Sequence, residues 1–142
     1  MQVFIMRHGD AALDAASDSV RPLTSCGCDE SRLMANWLKG QKVDIERVLV
    51  SPFLRAEQTL DVVGECMNLP TGVDVLPELT PCGDVGLVSA YLQALANEGI
   101  ATAHFFQFEM AHVGTQVSYR AVRIQQRLKL VREIVAGISL LL

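Results

Sequence analysis

Arg7-His8-Gly9 places a cation, a nucleophile and a flexible residue directly after the apolar run at residues 3–6, and this combination suits phosphate chemistry. Arginine offers a planar fork of donors to phosphate oxygens, histidine has a ring nitrogen able to attack phosphorus, and glycine lets the backbone turn sharply or approach a ligand closely. A four-residue apolar run fits a strand buried on both faces of a parallel sheet. Ligands of open α/β sheets sit beyond the carboxyl ends of such strands, where Arg7 and His8 would stand.

A second segment repeats the arrangement. The strand-like residues 48–50 lead into Ser51-Pro52-Phe53-Leu54-Arg55, with Thr59 four residues further on. Ser51 reads as an N-cap and Pro52 as the first helical residue, which puts Arg55 in the first turn, where free N–H groups already attract anions. Residues 56–119 contain no Lys or Arg, so Arg7 and Arg55 are isolated cations in a chain of net charge −4.

The elements that must position these groups alternate. Strands are expected near 3–6, 47–50, 73–76 and 102–108, separated by helices, in the order β-α-β-α-β-α-β-α. The first helix should start after Thr24, bury Leu33, Met34, Trp37 and Leu38, and stop at Gly40 as a C′ residue. Leu54, Leu60, Val63 and Met67 form the apolar face of the second helix; Leu87, Val88, Tyr91, Leu92 and Leu95 form that of the third. Residues 10–22 read as a rim loop whose acids, Asp10, Asp14 and Asp18, face solvent.

The chain has 142 residues, 50% hydrophobic and 20% charged, which is one globular domain. Net charge excludes nucleic acid as the natural partner. Without a basic leader before the first apolar run, and without an uncharged stretch of roughly 18 residues, no membrane span is expected and the cytoplasm is the default. Cys26, Cys28, Cys66 and Cys82 then read as reduced thiols, and the Cys26-Gly27-Cys28 spacing is too short for a zinc pair, so neither metal nor cofactor is expected.

Residues 3–10, 51–59 and 76–84 together resemble the histidine phosphatase superfamily, and within it the small phosphohistidine phosphatases of the SixA type. The resemblance spans about residues 1–100. It implies a phosphoglycerate mutase-like, three-layer α/β/α fold with a mostly parallel central sheet. It also implies two-step phosphoryl transfer through a phosphohistidine on His8, with Arg7 and Arg55 clamping the phosphate oxygens. The implied partner is a phosphorylated histidine phosphotransfer domain of a sensor kinase. The other ring nitrogen of His8 should donate to a carbonyl, which Gly9 or the following turn can supply. Glu78 and Asp84 are candidate proton donors or water positioners, with an ordinary exposed acid as the plainer reading of each.

From about residue 103 the chain departs from this pattern. Counting from the helix end expected at Gly99 puts Phe108 where the family has its second histidine, and phenylalanine neither donates a hydrogen bond nor carries charge. His104 and His112 are the available substitutes. His112 is better placed, because it follows the apolar stretch Phe105-Phe106-Gln107-Phe108 and His104 opens it. Further on, Arg120, Arg123, Arg127, Lys129 and Arg132 face a single acid, Glu133, before an apolar end. This suggests an amphipathic helix with Val117, Ile124, Leu128, Val131, Val135 and Ile138 inward.

Three functions remain in competition: a protein phosphohistidine phosphatase, a small-molecule phosphomonoesterase, and a catalytically impaired phosphoprotein binder. Short insertions that leave the site open to a protein surface favour the first. A covering insertion would mark the second, and loss of the second histidine without replacement would produce the third.

Overall fold

The computed structural model describes residues 1–42, 44–106, 120–124 and 128–132. The strands β1 (Gln2–Met6), β2 (Arg47–Val50), β3 (Val73–Val75) and β4 (Thr102–Phe106) are separated by helices α1 (Ser25–Gly40), α2 (Leu54–Cys66) and α3 (Val85–Asn97). Two further strands, β5 (Arg120–Ile124) and β6 (Leu128–Arg132), complete the sheet. Its order is β3-β2-β4-β1-β6-β5. The β3-β2-β4-β1 part is wholly parallel, whereas β6 runs antiparallel to both β1 and β5.

Strand alternation divides the core into two layers. Phe4, Met6, Val48 and Val50 pack with Met34, Ala35 and Leu38 of α1 and Ala56 and Val63 of α2. Val3, Leu49 and Ala103 point the other way, toward Leu92 and Leu95 of α3 and Leu79 of the preceding loop. Successive side chains of a strand face opposite sides, so one short apolar run serves both layers. Each fully buried Val or Leu contributes roughly 1.5–3 kcal/mol relative to its exposed state. This is the expected α/β arrangement, with helices on both faces. Among the described residues no helix is long and apolar enough to cross a membrane.

Several expectations are corrected in detail. The basic tail segment forms the antiparallel strands β5 and β6, not an amphipathic helix. Helical spacing among its apolar residues was outweighed by pairing to the open edge of β1, which supplies partners for a whole row of backbone groups. Ile124, Leu128 and Val131 lie in these strands, while Val117, Val135 and Ile138 lie outside the described residues. In α1, Leu33 is exposed and the buried positions include Gly27, Ser31 and Ala35. Thr24 is the N-cap, its hydroxyl accepting from Gly27 N at 3.0 Å. Gly40 is the last helical residue, not a C′ residue, and the positive φ near this helix end, +53°, belongs to Lys42. Leu87, expected on the buried face of α3, is exposed too.

Candidate functional site

Both strand ends that carry the candidate residues open onto one edge of the sheet. Met6 closes β1 and Val50 closes β2, and both are in register with Phe106 at the end of β4 between them. Residues 7–9 and 51–55 therefore leave the sheet on the same side.

α2 begins later than its sequence signals. Phe53 is the N-cap, without a side-chain bond, and Leu54 is the first helical residue. Ser51 instead accepts from Phe53 N at 3.4 Å across the turn. Arg55 still falls in the first turn, and its side chain is fully buried. The face of α2 turned toward the site is polar, with Arg55 and Thr59 buried beside Ala56, Val62 and Val63. Leu54, Leu60 and Met67, expected to be core, are only partly buried.

His8 is buried and held from both nitrogens. Nδ1 lies 2.6 Å from the carbonyl oxygen of Gly9, which can only accept, so Nδ1 carries the proton. Arg55 Nε, which can only donate, lies 2.9 Å from His8 Nε2. Nε2 is therefore the lone-pair nitrogen, and the two bonds together fix the neutral Nδ1–H tautomer. The carbonyl partner expected for His8 is thus supplied by Gly9.

Arg55 turns both Nη nitrogens to the rim loop. Nη1 donates to the Asp18 carbonyl at 2.5 Å and Nη2 to the Asp18 carboxylate at 3.1 Å. The guanidinium also lies over the Phe53 ring, 4.7 Å from its centroid. The Asp18 Oδ1 accepts from Arg21 Nη1 at 3.0 Å, and Arg21 is tied in turn to the carbonyls of Ala12 and Ala11. These hydrogen bonds, Arg21 first and then Arg55, hold the Asp18 carboxyl below its ordinary value near 3.8. Asp10, Asp14 and Asp18 are all exposed, as expected, but the half-exposed carboxylate of Asp18 also engages Arg55 and Arg21. Its signal was invisible in sequence because Asp10, Asp14 and Asp18 look alike there; a short 3-10 turn at Asp18–Val20 is what aims one of them at Arg55.

The loop after His8 is anchored by small contacts that depend on size. Gly9 N donates to Thr59 Oγ1 at 3.4 Å, and the same hydroxyl donates to the Arg55 carbonyl at 2.7 Å, joining α2 to the His8 turn. A Cβ on Gly9 would overlap the Gly27 carbonyl, and one on Gly27 would overlap that of Asp10. This mutual approach packs the start of α1 against the His8 turn and requires glycine at both positions. Asp10 N donates to Glu30 at 3.0 Å, and Leu23 N donates to Gln58 at 2.7 Å.

The other expected residues divide. Arg7 follows β1 immediately and is exposed. Asp84 accepts from Gly86 N and Leu87 N, so its carboxylate caps α3. His104 takes a mid-strand position in β4, in register with Phe4 and Val48, two residues short of the strand end. Phe108 and His112 lie outside the described residues. Cys26, Cys28, Cys66 and Cys82 are free thiols. Among the described residues no group of three or more His, Cys, Asp or Glu is placed to hold a metal ion.

A parallel sheet whose strand ends bring a tautomer-fixed histidine against a buried arginine defines an α/β domain with a candidate phosphate site. The chain belongs to the histidine phosphatase superfamily, branch 1, whose family model matches residues 3–82. It is 86% identical over 102 residues to the phosphohistidine phosphatase SixA of Escherichia coli, covering 72% of this chain and 63% of that protein. A phosphohistidine phosphatase SixA homolog of Haemophilus influenzae is 36% identical over 107 residues, covering 70% of this chain and 65% of that one. The chain thus spans somewhat less than two thirds of the length of these curated relatives. The solved structure of the protein histidine phosphatase SixA complexed with tungstate superposes with a TM-score of 0.74 at 82% identity, covering 75% of this chain and 69% of that one.

Proposed function

We propose that this chain is a cytoplasmic phosphohistidine phosphatase that takes phosphate from the phosphorylated histidine phosphotransfer domain of a sensor kinase. The observation that carries the reading is the fixed tautomer of His8, whose unprotonated Nε2 lies against the buried Arg55 guanidinium. High identity to a protein named as a phosphohistidine phosphatase supports it.

In the first step Nε2 of His8 attacks phosphorus while the bond from phosphorus to the donor imidazole breaks, and the departing imidazole takes up a proton. Gly9 keeps Nδ1 protonated through the attack, so the positive charge that develops on the ring is shared with a carbonyl dipole. Arg7 and Arg55 neutralise the phosphoryl oxygens, and most of the catalysis in such transfers is positioning and charge stabilisation. In the second step water attacks the phosphohistidine and the His8 lone pair is restored. His112 supplies the second imidazole donor in this reading.

A second reading is phosphoprotein binding with little turnover, since counting from the helix end expected at Gly99 puts Phe108 where the family pattern has histidine. Incubation with a histidine phosphotransfer domain carrying radiolabelled phosphate separates the two. A phosphatase releases inorganic phosphate and gives acid-labile label trapped on His8, and His112→Ala slows release roughly a hundredfold, as loss of one such donor does. Stable association with the labelled domain without release leaves the binder. Faster hydrolysis of a small phosphate ester than of the labelled protein would shift the assignment to a phosphomonoesterase.

A further inference from the structure

His8, Arg55, Asp18 and Arg21 form a continuous series in which each of the three guanidinium nitrogens of Arg55 already has a partner. The lone pair of His8 Nε2 accepts from Arg55 Nε at 2.9 Å, so attack on phosphorus requires that N–H to turn toward a phosphoryl oxygen. A guanidinium is planar and rigid, and moving Nε moves Nη1 and Nη2 with it. Both of those nitrogens are held by one residue, Asp18, through its carbonyl and its carboxylate. Arg21 holds the other carboxylate oxygen, which keeps this half-exposed side chain in place.

On the phosphoryl-transfer reading above, we propose that Asp18 is a specificity-determining latch. Its carboxylate stands in for the anion and keeps Arg55 over the His8 nucleophile. It yields to a phosphoryl dianion, which offers Arg55 more charge and more acceptor oxygens than one carboxylate does. A monoanion such as nitrate gains too little from Arg55 to displace it. The same contact silences the nucleophile while no phosphoryl group is bound, and releases it as the substrate takes the arginine.

The test is calorimetric titration of the whole chain with inorganic phosphate and with nitrate. Asp18→Asn and Asp18→Ala should bind phosphate about tenfold more tightly, the equivalent of about 1.4 kcal/mol, and should acquire measurable nitrate binding. Asp14→Asn removes the same charge from the same loop at an exposed position, and should change phosphate affinity less than about twofold, because exposed charges are screened. Unchanged or weaker phosphate binding in both Asp18 variants, with native circular dichroism, overturns the latch. An equal gain in Asp14→Asn also overturns it, since the effect is then general charge.

A measurement on the unmodified chain does not depend on how the variants fold. Saturating vanadate should accelerate hydrogen exchange at the amides of Val20 and Arg21, which close the turn on Ser17 and Asp18. Unaltered or slower exchange there overturns the proposal. Failure of the latch and failure of the phosphatase reading remain distinct. Label trapped on His8 with parental phosphate affinity in Asp18→Asn loses only the latch, and tighter phosphate binding in Asp18→Asn without any label on His8 loses only the phosphatase.

Discussion

Arg55 and Arg7 leave the same edge of the sheet under opposite conditions. Arg55 is fully enclosed between α2, His8 and the rim loop, whereas Arg7 is exposed at the end of β1. A buried guanidinium must have its donors satisfied before any ligand arrives, because desolvating an unpaired charge is costly. The fold meets that need with His8, Asp18 and the Phe53 ring. An exposed guanidinium has water available and carries no such obligation. Enclosure therefore makes Arg55 a part of the structure as well as a proposed phosphate ligand, while the exposed Arg7 keeps access to water.

The sharpest way to break this comparison is to remove the group on which both arginines converge in the proposed mechanism. His8→Ala should abolish phosphate release from the labelled phosphotransfer domain and leave no acid-labile label on the chain. Turnover persisting in that variant would place the nucleophile elsewhere.

Lysine at each arginine position separates the two conditions. Arg55→Lys keeps one charge but loses the fork, so phosphate affinity should fall tenfold or more and stability by roughly 1–3 kcal/mol as buried partners are left unmet. Arg7→Lys should weaken phosphate binding by about tenfold at most and lower the denaturation midpoint less than Arg55→Lys does, because the residue is exposed. Equal losses of stability in the two variants, measured by urea unfolding, would show that enclosure does not distinguish them.

The support beneath the site is tested at a position with no polar group. Gly27→Ala pushes a methyl group into the Asp10 carbonyl, and overpacking of this kind costs about 1–3 kcal/mol. The His8 turn should shift with it, so phosphate affinity should fall together with the unfolding midpoint. A variant with parental stability would mean that α1 and the His8 turn move apart freely.

The smallest effect is a pH dependence. Asp18 titrates lower in the folded chain than its ordinary value near 3.8, so it binds protons more readily when unfolded. Its contribution is fully present above 3.8 and is lost as pH falls through the lowered folded value. Acid unfolding curves of the parent and Asp18→Asn should therefore differ above this range and converge below it. The pair is half-exposed on the aspartate side and screened, so the difference should be modest. Curves that stay parallel down through the transition would take Asp18 out of the balance.

Much of this was legible from local pattern. Apolar runs of three or four residues announce the buried strands β1 and β2, whereas β3, Val73–Val75, is a short strand with both valines exposed. Thr24 caps α1 as its residue type suggests. The Arg7-His8 and Arg55 positions follow from strand ends, because a parallel sheet puts all such ends on one edge. The path of the tail was not legible: the apolar spacing at 120–132 suits either a helix or strands, and only the unpaired edge of β1 chooses between them.

The sequence by itself determined the fold class, the sheet edge on which Arg7, His8 and Arg55 lie and the types of group placed there, since these depend on periodicity and short-range turn signals. Tertiary structure alone decided the tautomer of His8, the enclosure of Arg55 and the choice of Asp18 over Asp10 and Asp14 as its partner. Those outcomes depend on distances between segments nearly fifty residues apart in the chain for His8 and Arg55, and almost forty for Asp18 and Arg55. No local rule fixes such distances. They are set when the strands pair in register and α1 closes against the His8 turn through two glycines that leave no room for a side chain.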